Sequence, residues 1–449
     1  METRISTDVE EAAYHLSKGR VIAIPTETVY GLAADAMNVD AVEEIFRLKN
    51  RPFSDPLIVH VSTPEVLERY DIEVPLWAQR LISLFWPGPL TLLLPRGRKI
   101  PPLVTAELPR VAVRAPAHPL TQALLNLLPF PIAAPSANPF SHISPTTPLH
   151  VYRYFAGKIP FILDGGACPA GIESTIIGEE QGRFILYRPG ALAREKIEEA
   201  LGEKLYSRSA PSVRKPITPG QFPKHYAPKK PLLYGWNSPP VEPNASLILF
   251  SGSPQTSHPY THVLSPEGDL ETAASSLYAT LHACEEEPTE YIIAQQVPLT
   301  GIGESLHDRL RRATSRSLFT IGHSHHSWAE FLSLLQRYEV QAIVDLRRQP
   351  HSRFVPHFSQ GPLQKALHEH GITYEWQPVP ARLLSTIERL LHRYLHIALL
   401  CAEGEPHRCH RFRLSDELSE KGFSLFHILP EGHLQLHRAP ISLRLSEKD

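Results

Sequence analysis

The stretch that decides the fold is residues 25–32, Pro-Thr-Glu-Thr-Val-Tyr-Gly-Leu, which follows an apolar run at residues 21–24. Branched apolar side chains fill that run, so it predicts a buried strand. The turn after it then places Thr26, Thr28 and Tyr30 at the carboxyl end of the strand, where α/β sheets commonly hold small polar ligands. The stretch therefore predicts a ligand site at the edge of an α/β sheet.

Strand-like and helical runs alternate on both sides of this stretch. The strand-like runs are residues 21–24, 57–61, 90–94, 111–114, 132–134, 161–163 and 185–187. Residues 39–49 and 76–85 instead carry apolar side chains at helical spacing. This pattern predicts a mixed α/β domain with one large sheet, over residues 1–206.

Changes in composition divide the rest of the chain. Residues 207–231 are dense in Ser, Pro, Lys and Arg without periodicity, which is typical of a linker or a loop. Strand-like residues 246–250, 262–264 and 291–297 then alternate with helical residues 270–284 and 304–313, which predicts a small Rossmann-like α/β domain over residues 232–316. Residues 317–449 open with another strand-like run and form a third predicted α/β domain.

Composition limits the classes of function. The chain has 449 residues, 42% of them hydrophobic, and a net charge of −2, so direct binding of tRNA through its phosphates is not supported. Its four cysteines are scattered, unlike those of a secreted disulfide framework. No apolar stretch has the length of a signal peptide core or a membrane span. We therefore expect a cytoplasmic protein without a membrane-spanning segment.

Cations and hydroxyls recur where predicted elements end. The motifs are Leu-Lys-Asn-Arg-Pro at 48–52, Pro-Leu-Ile-Val-His at 56–60, Val-Ala-Val-Arg at 111–114, Ala-Ala-Pro-Ser-Ala-Asn at 133–138, Ser-Pro-Thr-Thr at 144–147, Asp-Gly-Gly at 164–166, Gly-Ile-Glu-Ser-Thr-Ile at 171–176 and Tyr-Arg-Pro-Gly at 187–190. Arginine holds a phosphate or carboxylate through two parallel hydrogen bonds, while lysine acts as a point charge. Taken alone, Lys49 and Arg51 would equally suit a helix C-terminus, and His60 would suit a hydrophobic core. The ordered series favours a ligand site.

This series resembles the YrdC-like family of threonylcarbamoyl-adenylate synthases, and the loop of residues 218–228, with its His-Tyr-Ala-Pro core, resembles the long, two-domain form. The resemblance implies a nucleotidyltransferase that makes threonylcarbamoyl-AMP and pyrophosphate from L-threonine, bicarbonate or CO2, and ATP, with Mg²⁺ on the ATP. Its product would serve the tRNA threonylcarbamoyl transferase machinery that modifies adenosine 37 of tRNA. The alternative from a different class is a non-catalytic module of the same fold that binds RNA or a nucleotide.

The same resemblance implies roles for individual residues. L-Threonine would contact Thr28, His60, Arg114, Ala134 and Ser174. ATP would contact Arg51, Asp55, Arg110, Ser136, Ser144, Arg188 and Tyr226, with Lys49 and Arg51 as catalytic residues near its phosphates. No metal-ligating set is predicted. Three positions depart from the family pattern, because Asp55 replaces an Asn, Phe140-Ser141 replaces Ser-Gly, and Arg110 replaces a small hydroxyl residue.

The last predicted domain resembles a widespread bacterial family of uncharacterised small α/β domains. Its candidate pocket residues follow predicted strands or open a predicted helix, so they could converge at one sheet edge: His323, Asp345, Arg347, Cys401, Cys409, His410 and Arg411. A pocket facing phosphate or nucleic acid is favoured, and a purely structural cluster remains open. The seven-residue gap between the two cysteines is longer than a metal-knuckle spacing, which disfavours zinc, and a cysteine phosphatase would need arginine where His407 stands.

Overall fold

The computed structural model describes residues 2–207, 217–218, 226–253, 258–314, 316–324, 326–352, 354–378 and 380–438. These residues form three β-sheets with helices packed on them, which confirms the predicted mixed α/β class and the single large first sheet. Most of the segment predicted as linker and lid, at 208–216 and 219–225, lies outside the described residues. No helix in the described ranges is both long and apolar enough to cross a bilayer.

The first sheet has eleven strands. In chain order they are β1 Arg4–Ser6, β2 Ile22–Ile24, β3 Gly31–Asp35, β4 Ile58–His60, β5 Leu90–Pro95, β6 Arg110–Arg114, β7 Ile132–Ala133, β8 Phe161–Leu163, β9 Thr175–Glu180, β10 Arg183–Arg188 and β11 Tyr206–Ser207. Across the sheet the order is β1-β8-β2-β3-β7-β4-β6-β5-β9-β10-β11. Its helices are α1 Val9–Ser17, α2 Val39–Lys49, α3 Val66–Arg69, α4 Leu76–Phe85, α5 Pro119–Leu127, α6 Pro148–Phe155 and α7 Arg194–Leu201.

The stretch that follows β2 is the connection of a β-hairpin. Strands β2 and β3 are antiparallel, and Ile24 lies opposite Gly31. The sequence pattern predicts the turn but not β3, whose glycine and alanines have little β propensity. Strands β1, β9 and β11 were likewise not predicted, and β9 begins inside the quoted motif at 171–176. Strand β3 pairs with β2 on one side and with β7 on the other. The turn therefore connects two central strands of the sheet rather than edge strands.

The second sheet is parallel, with strand order β12-β15-β13-β14, and the third has the order β18-β17-β19-β16-β20-β21. Their strands are β12 Leu232–Trp236, β13 Ala245–Leu249, β14 Thr261–Val263, β15 Tyr291–Gln295, β16 Ser317–Gly322, β17 Ala342–Asp345, β18 Thr373–Trp376, β19 Ile397–Cys401, β20 Ser424–Ile428 and β21 Leu434–Leu436. Their helices are α8 Leu270–Glu286, α9 Gly303–Ala313, α10 Trp328–Arg337, α11 Gln360–Glu369, α12 Pro380–Leu391 and α13 His410–Glu420. Strand β12 was missed from the sequence.

The second sheet lies between its own helices and the third sheet. Alternate side chains of β12 face opposite ways, so Leu233 packs with the core of the third sheet and Tyr234 with the cluster of α8 and α9. A register shift between Tyr234 and Trp236 then turns Trp236 onto Phe319 of β16. Glu242, buried between the sheets, accepts hydrogen bonds from the Tyr338 hydroxyl at 2.7 Å and the Leu434 amide at 3.1 Å. These contacts fix the third sheet against the second.

Candidate active site

The hairpin connection is closed by its own hydroxyl groups. Thr26 Oγ1 accepts the amide hydrogens of Thr28 and Val29 at 3.1 and 3.2 Å. The Thr28 hydroxyl lies 2.7 Å from the same oxygen, and Thr28 is fully buried. Such side-chain-to-backbone bonds favour a turn over continued strand. The sequence of the turn thereby fixes the direction in which the Thr28 side chain points.

Strands β4 and β6 bring His60 and Arg114 side by side, because the two parallel strands pair these residues in register. Arg114 donates from Nη1 to Thr28 Oγ1 at 2.9 Å and from Nη2 to Glu27 Oε1 at 2.5 Å. Burial, and then the Arg114 charge, lower the pKa of His60 to about 3, so its imidazole is neutral. His60 Nδ1 lies 3.1 Å from the Ile58 carbonyl oxygen and is therefore the protonated nitrogen, which leaves Nε2 as an acceptor.

The end of α2 positions Arg51. Asn50 adopts the left-handed conformation with φ of 51°, which ends the helix and turns the next residue inward. The Arg51 guanidinium donates to the carbonyl oxygens of Asp55 and Pro56 at 3.1 and 2.7 Å, and it forms an ion pair of 2.9 Å with the Asp55 carboxylate. Burial raises the pKa of Asp55 to about 6, although the charges of Arg51, Lys49 and Arg188 oppose that shift.

Arg188, at the end of β10, donates its hydrogen bonds to neutral oxygen atoms, although the charge of the nearby Glu173 carboxylate also acts on it. Its Nη2 donates to the carbonyl oxygen of Ser174 at 2.9 Å and to the hydroxyl at 3.1 Å, and both groups are neutral. Within the described ranges no carboxylate lies at ion-pair distance from Arg188, which is 4% exposed. Gly190 permits this close approach, since a Cβ there would lie 2.4 Å from the Ser174 carbonyl carbon. A buried cation of this kind favours an anionic ligand.

Glu173 connects the second sheet's helices to this site and was missed as a site residue from the sequence. Its carboxylate accepts hydrogen bonds from Ser144 Oγ at 2.7 Å, Tyr278 Oη at 3.0 Å and Arg309 Nε at 3.0 Å. Burial alone would raise the pKa of Glu173, but Arg309 and the other donors bring it below its usual range. The Arg309 guanidinium also lies 5.1 Å from the centre of the Tyr226 ring. Glu173 stands within the quoted motif at 171–176, whereas nothing in the polar pattern of α9 pointed to Arg309.

One cavity of about 50 Å³ collects most of the residues implied by the resemblance. Nine of its lining residues were predicted, namely Thr28, Arg51, His60, Arg114, Ala134, Ser136, Ser174, Arg188 and Tyr226. Thr26, Val29, Gly31, Ile58, Pro135 and Glu173 complete its wall. The cavity is far below the roughly 300 Å³ at which pockets for drug-sized ligands begin, so the described arrangement is a closed one.

The four other predicted residues lie outside the lining of this cavity. Lys49 is 1% exposed and donates from Nζ to the carbonyl oxygens of Ser136, at 2.6 Å, and Asn138. Asp55 lies behind Arg51, and Ser144 behind Glu173. Arg110 is at the opposite end of β6 from Arg114, where it pairs with Glu180 at 2.8 Å. In this state Lys49 holds the turn that follows β7, and Arg110 forms part of a partly exposed ion pair.

The third sheet gathers its predicted residues at the carboxyl ends of β16, β17 and β19. Arg347 forms a bidentate ion pair with buried Asp345, and Arg411, fully buried, donates to the carbonyl oxygens of Glu403 and Gly404. Hydrogen bonding from the Cys401 thiol lowers the pKa of Cys409 to about 5 and raises that of Cys401. Cys409 and His410 line a cavity of about 360 Å³ together with His323, Arg347, Arg348, Gln349, His351, Ser352, Ala402, Glu403 and Arg408.

Three protein-family models match the chain. The model described as telomere recombination, of the Sua5, YciO and YrdC proteins, matches residues 15–190. The model described as threonylcarbamoyl-AMP synthase, C-terminal domain, matches residues 192–315. A domain of unknown function, DUF488, matches residues 327–383.

Individual proteins resemble the first two sheets. The threonylcarbamoyl-AMP synthase of Bacillus subtilis is 38% identical over 319 residues, covering 68% of this chain and 92% of that protein. The threonylcarbamoyl-AMP synthase of Pyrococcus abyssi is 35% identical over 330 residues, covering 69% of this chain and 95% of that protein. The crystal structure of P. abyssi Sua5 complexed with L-threonine has a TM-score of 0.65 at 34% identity and covers 70% of this chain and 98% of its own.

Proposed function

The chain belongs to the threonylcarbamoyl-AMP synthase family, and we propose that the cavity around Thr28 and Arg188 is where it joins L-threonine, bicarbonate or CO2, and ATP. The observation that carries this proposal is that Arg188, which is buried and forms no ion pair within the described ranges, lines the same cavity as Thr28, His60 and Arg114. One end of the cavity suits a small amino acid, and the other suits a polyphosphate.

The threonine end recognises a zwitterion. Arg114 donates to the threonine carboxylate from Nη1, which donates to the neutral Thr28 hydroxyl in the described structure, while Nη2 keeps its ion pair with Glu27. Neutral His60 presents Nε2 as an acceptor for the hydrogen-bond donors of threonine. Ala134 and the buried backbone around it limit the space beside these groups, which favours a short side chain.

The nucleotide end stabilises charge. The amine of threonine forms a carbamate, whose oxygen attacks the α-phosphorus of ATP, and pyrophosphate leaves with the electron pair of the broken bond. Arg188 and Arg51 face the phosphates and neutralise charge that develops on them, so alignment and electrostatics suffice and no covalent nucleophile is required. Tyr226, 1% exposed, closes the cavity and moves aside when ATP enters.

Mg²⁺ arrives with the phosphates of ATP in this proposal. The carboxylate in the cavity wall, Glu173, already accepts bonds from Arg309, Tyr278 and Ser144. An ion held mainly by phosphate oxygens and water fits this donor set better than one held by protein carboxylates. Bound with ATP, the ion would supply additional charge neutralisation on the pyrophosphate.

The product serves the threonylcarbamoylation of adenosine 37 in tRNA, through a transferase that takes the activated group from AMP. A mixed anhydride of a carbamate and AMP is prone to hydrolysis, so its consumer must act soon after release. The net charge of −2 gives no support to direct binding of tRNA by this chain.

Pyrophosphate release measured with purified protein tests the proposal. It should require threonine, bicarbonate and Mg-ATP together, and threonylcarbamoyl-AMP should appear in equal amount by mass spectrometry. Arg188→Met should lower kcat/KM for ATP by about 10²-fold or more, as expected on removal of a charge-stabilising donor. Arg183→Met, on the exposed end of the same strand, is the matched control. Nucleotide binding without any threonine-dependent turnover would favour the non-catalytic module instead.

A further inference from the structure

The end of β19 and the start of α13 bring together three side chains that bind transition metals. Cys401, Cys409 and His410 each offer one ligand atom, and these atoms lie within 4.8 Å of one another. Cys401 is the last residue of β19, and Cys409 directly precedes α13. The two cysteines are therefore close in space although seven residues separate them in the sequence.

The distances between the ligand atoms agree with a tetrahedral site. His410 Nδ1 lies 3.8 Å from Cys401 Sγ and 3.9 Å from Cys409 Sγ. Bond lengths of about 2.3 Å for Zn–S and about 2.0–2.1 Å for Zn–N place sulfur and nitrogen about 3.6 Å apart at a tetrahedral angle. A contraction of a few tenths of an ångström therefore brings each sulfur-to-nitrogen distance to its tetrahedral value, and the two sulfur atoms lie within 4.8 Å of each other.

Two of the three ligand residues, Cys409 and His410, line a cavity. Cys401 is buried, Cys409 is partly exposed and His410 is exposed, so the ligand set spans the wall of the protein from core to surface. Cys409 and His410 line the cavity of about 360 Å³, whose wall also carries Arg347, Arg348 and Arg408. Arg347 is paired with Asp345 and Glu403 lines the same wall, so Arg348 and Arg408 supply the positive charge that attracts a small anion beside the cluster.

We propose that the third sheet holds a zinc-type divalent ion through Cys401, Cys409 and His410, with its fourth coordination position facing the cationic cavity. Two cysteines and one histidine with an open position are a ligand set of the catalytic rather than the structural kind, because structural zinc sites fill all four positions with protein. The ligand at the fourth position is water or a small oxyanion, drawn by the arginines of the wall.

A second group of similar composition provides an internal comparison. His262, Cys284 and Glu287 also lie within 4.8 Å of one another. Glu287 is already engaged there, because it pairs with His262 at 2.7 Å and accepts from Ser246 at 2.5 Å. Cys284 is moreover fully buried in the core of the second sheet. We therefore assign the ion to the third sheet.

Titration of the reduced, metal-free full chain with Co²⁺ tests the site. One equivalent should produce a thiolate-to-cobalt charge-transfer band, and Zn²⁺ should displace it. Cys409→Ser and His410→Ala should weaken binding by more than about 100-fold, since loss of even an outer hydrogen-bond partner costs about 10–100-fold. Cys284→Ser should leave both the band and the stoichiometry unchanged.

Two further measurements make the outcome decisive. The thermal midpoint and the circular dichroism spectrum of each variant establish that the chain is folded, and His410→Ala changes only an exposed side chain should Cys401→Ser fail to fold. Inorganic phosphate should alter the Co²⁺ spectrum of the unsubstituted protein. The proposed site would be overturned if the charge-transfer band were absent from the unsubstituted protein. It would also be overturned if the band were lost in Cys284→Ser alone or persisted in Cys409→Ser. An unchanged spectrum with phosphate would overturn the open position.

Discussion

Removal of Arg309 is expected to weaken the connection between α9 and the candidate active site by about 3–5 kcal/mol. Arg309 is 1% exposed and Glu173 is 5% exposed, with Nε and Oε2 separated by 3.0 Å. Arg309→Met leaves the Glu173 carboxylate buried with only the hydroxyls of Ser144 and Tyr278, and an uncompensated buried charge costs about that much.

The partner substitution completes a double-mutant cycle. Glu173→Gln should cost a comparable amount, reduced by the ion pair that Arg309 keeps with Asp308 at 3.0 Å. The double variant should be no less stable than Arg309→Met alone, because each substitution removes the charge that the other leaves unpaired. The coupling free energy should therefore reach about 2 kcal/mol or more.

Native-state hydrogen exchange of the amides in β9 and α9 is the suitable assay, since it reports local opening without requiring three sheets to unfold together. The pair of Arg110 and Glu180, with side chains 24% and 34% exposed, is the matched control and should show a coupling below about 1 kcal/mol. Strict additivity at Glu173 and Arg309, within about 0.5 kcal/mol, would refute the reasoning.

Three further predictions concern binding and pH. Arg114→Gln should raise KM for threonine by about 10–100-fold through loss of a charged hydrogen bond, whereas Arg110→Gln on the same strand should not; equal effects in steady-state kinetics would contradict the assigned geometry. Tyr226→Ala should raise KM for ATP more than KM for threonine while Tyr226→Phe retains both, and isothermal titration of ATP checks this. His60 and His282 have pKa values lowered to about 3, so they bind fewer protons than the unfolded chain below about pH 6.5, and stability should fall on acidification by about 2 kcal/mol for each at pH 5. Thermal midpoints at pH 5 and pH 7.5 measure this, and His282→Asn should lose less; an identical loss would count against it.

Local pattern predicted much of the fold because the deciding signals lie within short segments. Helix α2 appeared with its observed bounds, since its apolar face repeats over 11 residues and Asn38 and Asn50 mark its ends. Strand β3 was missed because its side chains are small, and its place in the sheet comes from pairing with β2 and β7. Pairing of this kind is decided by partners far away in the chain.

The residues of the candidate site likewise include some that local sequence patterns predicted and some that depend on contacts distant in the chain. The hydroxyls of the hairpin turn and the arginines at strand ends were visible as motifs, and the cavity contains them. Arg110 stays a predicted ATP contact, and the structure places it at the end of β6 away from the cavity, which its place in the motif series does not indicate. The role of Glu173 was not predicted, because its partner Arg309 lies on α9, far away in the sequence.

The sequence by itself determined the family, the α/β class and the chemistry of the residues between 25 and 32, since these depend on residue type and order. Only the tertiary structure decided which charges are balanced. Arg114 forms an ion pair with Glu27 and Arg309 forms one with Glu173, whereas the hydrogen bonds of Arg188 go to neutral oxygen atoms. The same holds for Cys401 and Cys409, which a strand end and a helix start bring together. Coulomb energies and metal coordination depend on distances in space, and the packing of one element on another sets those distances.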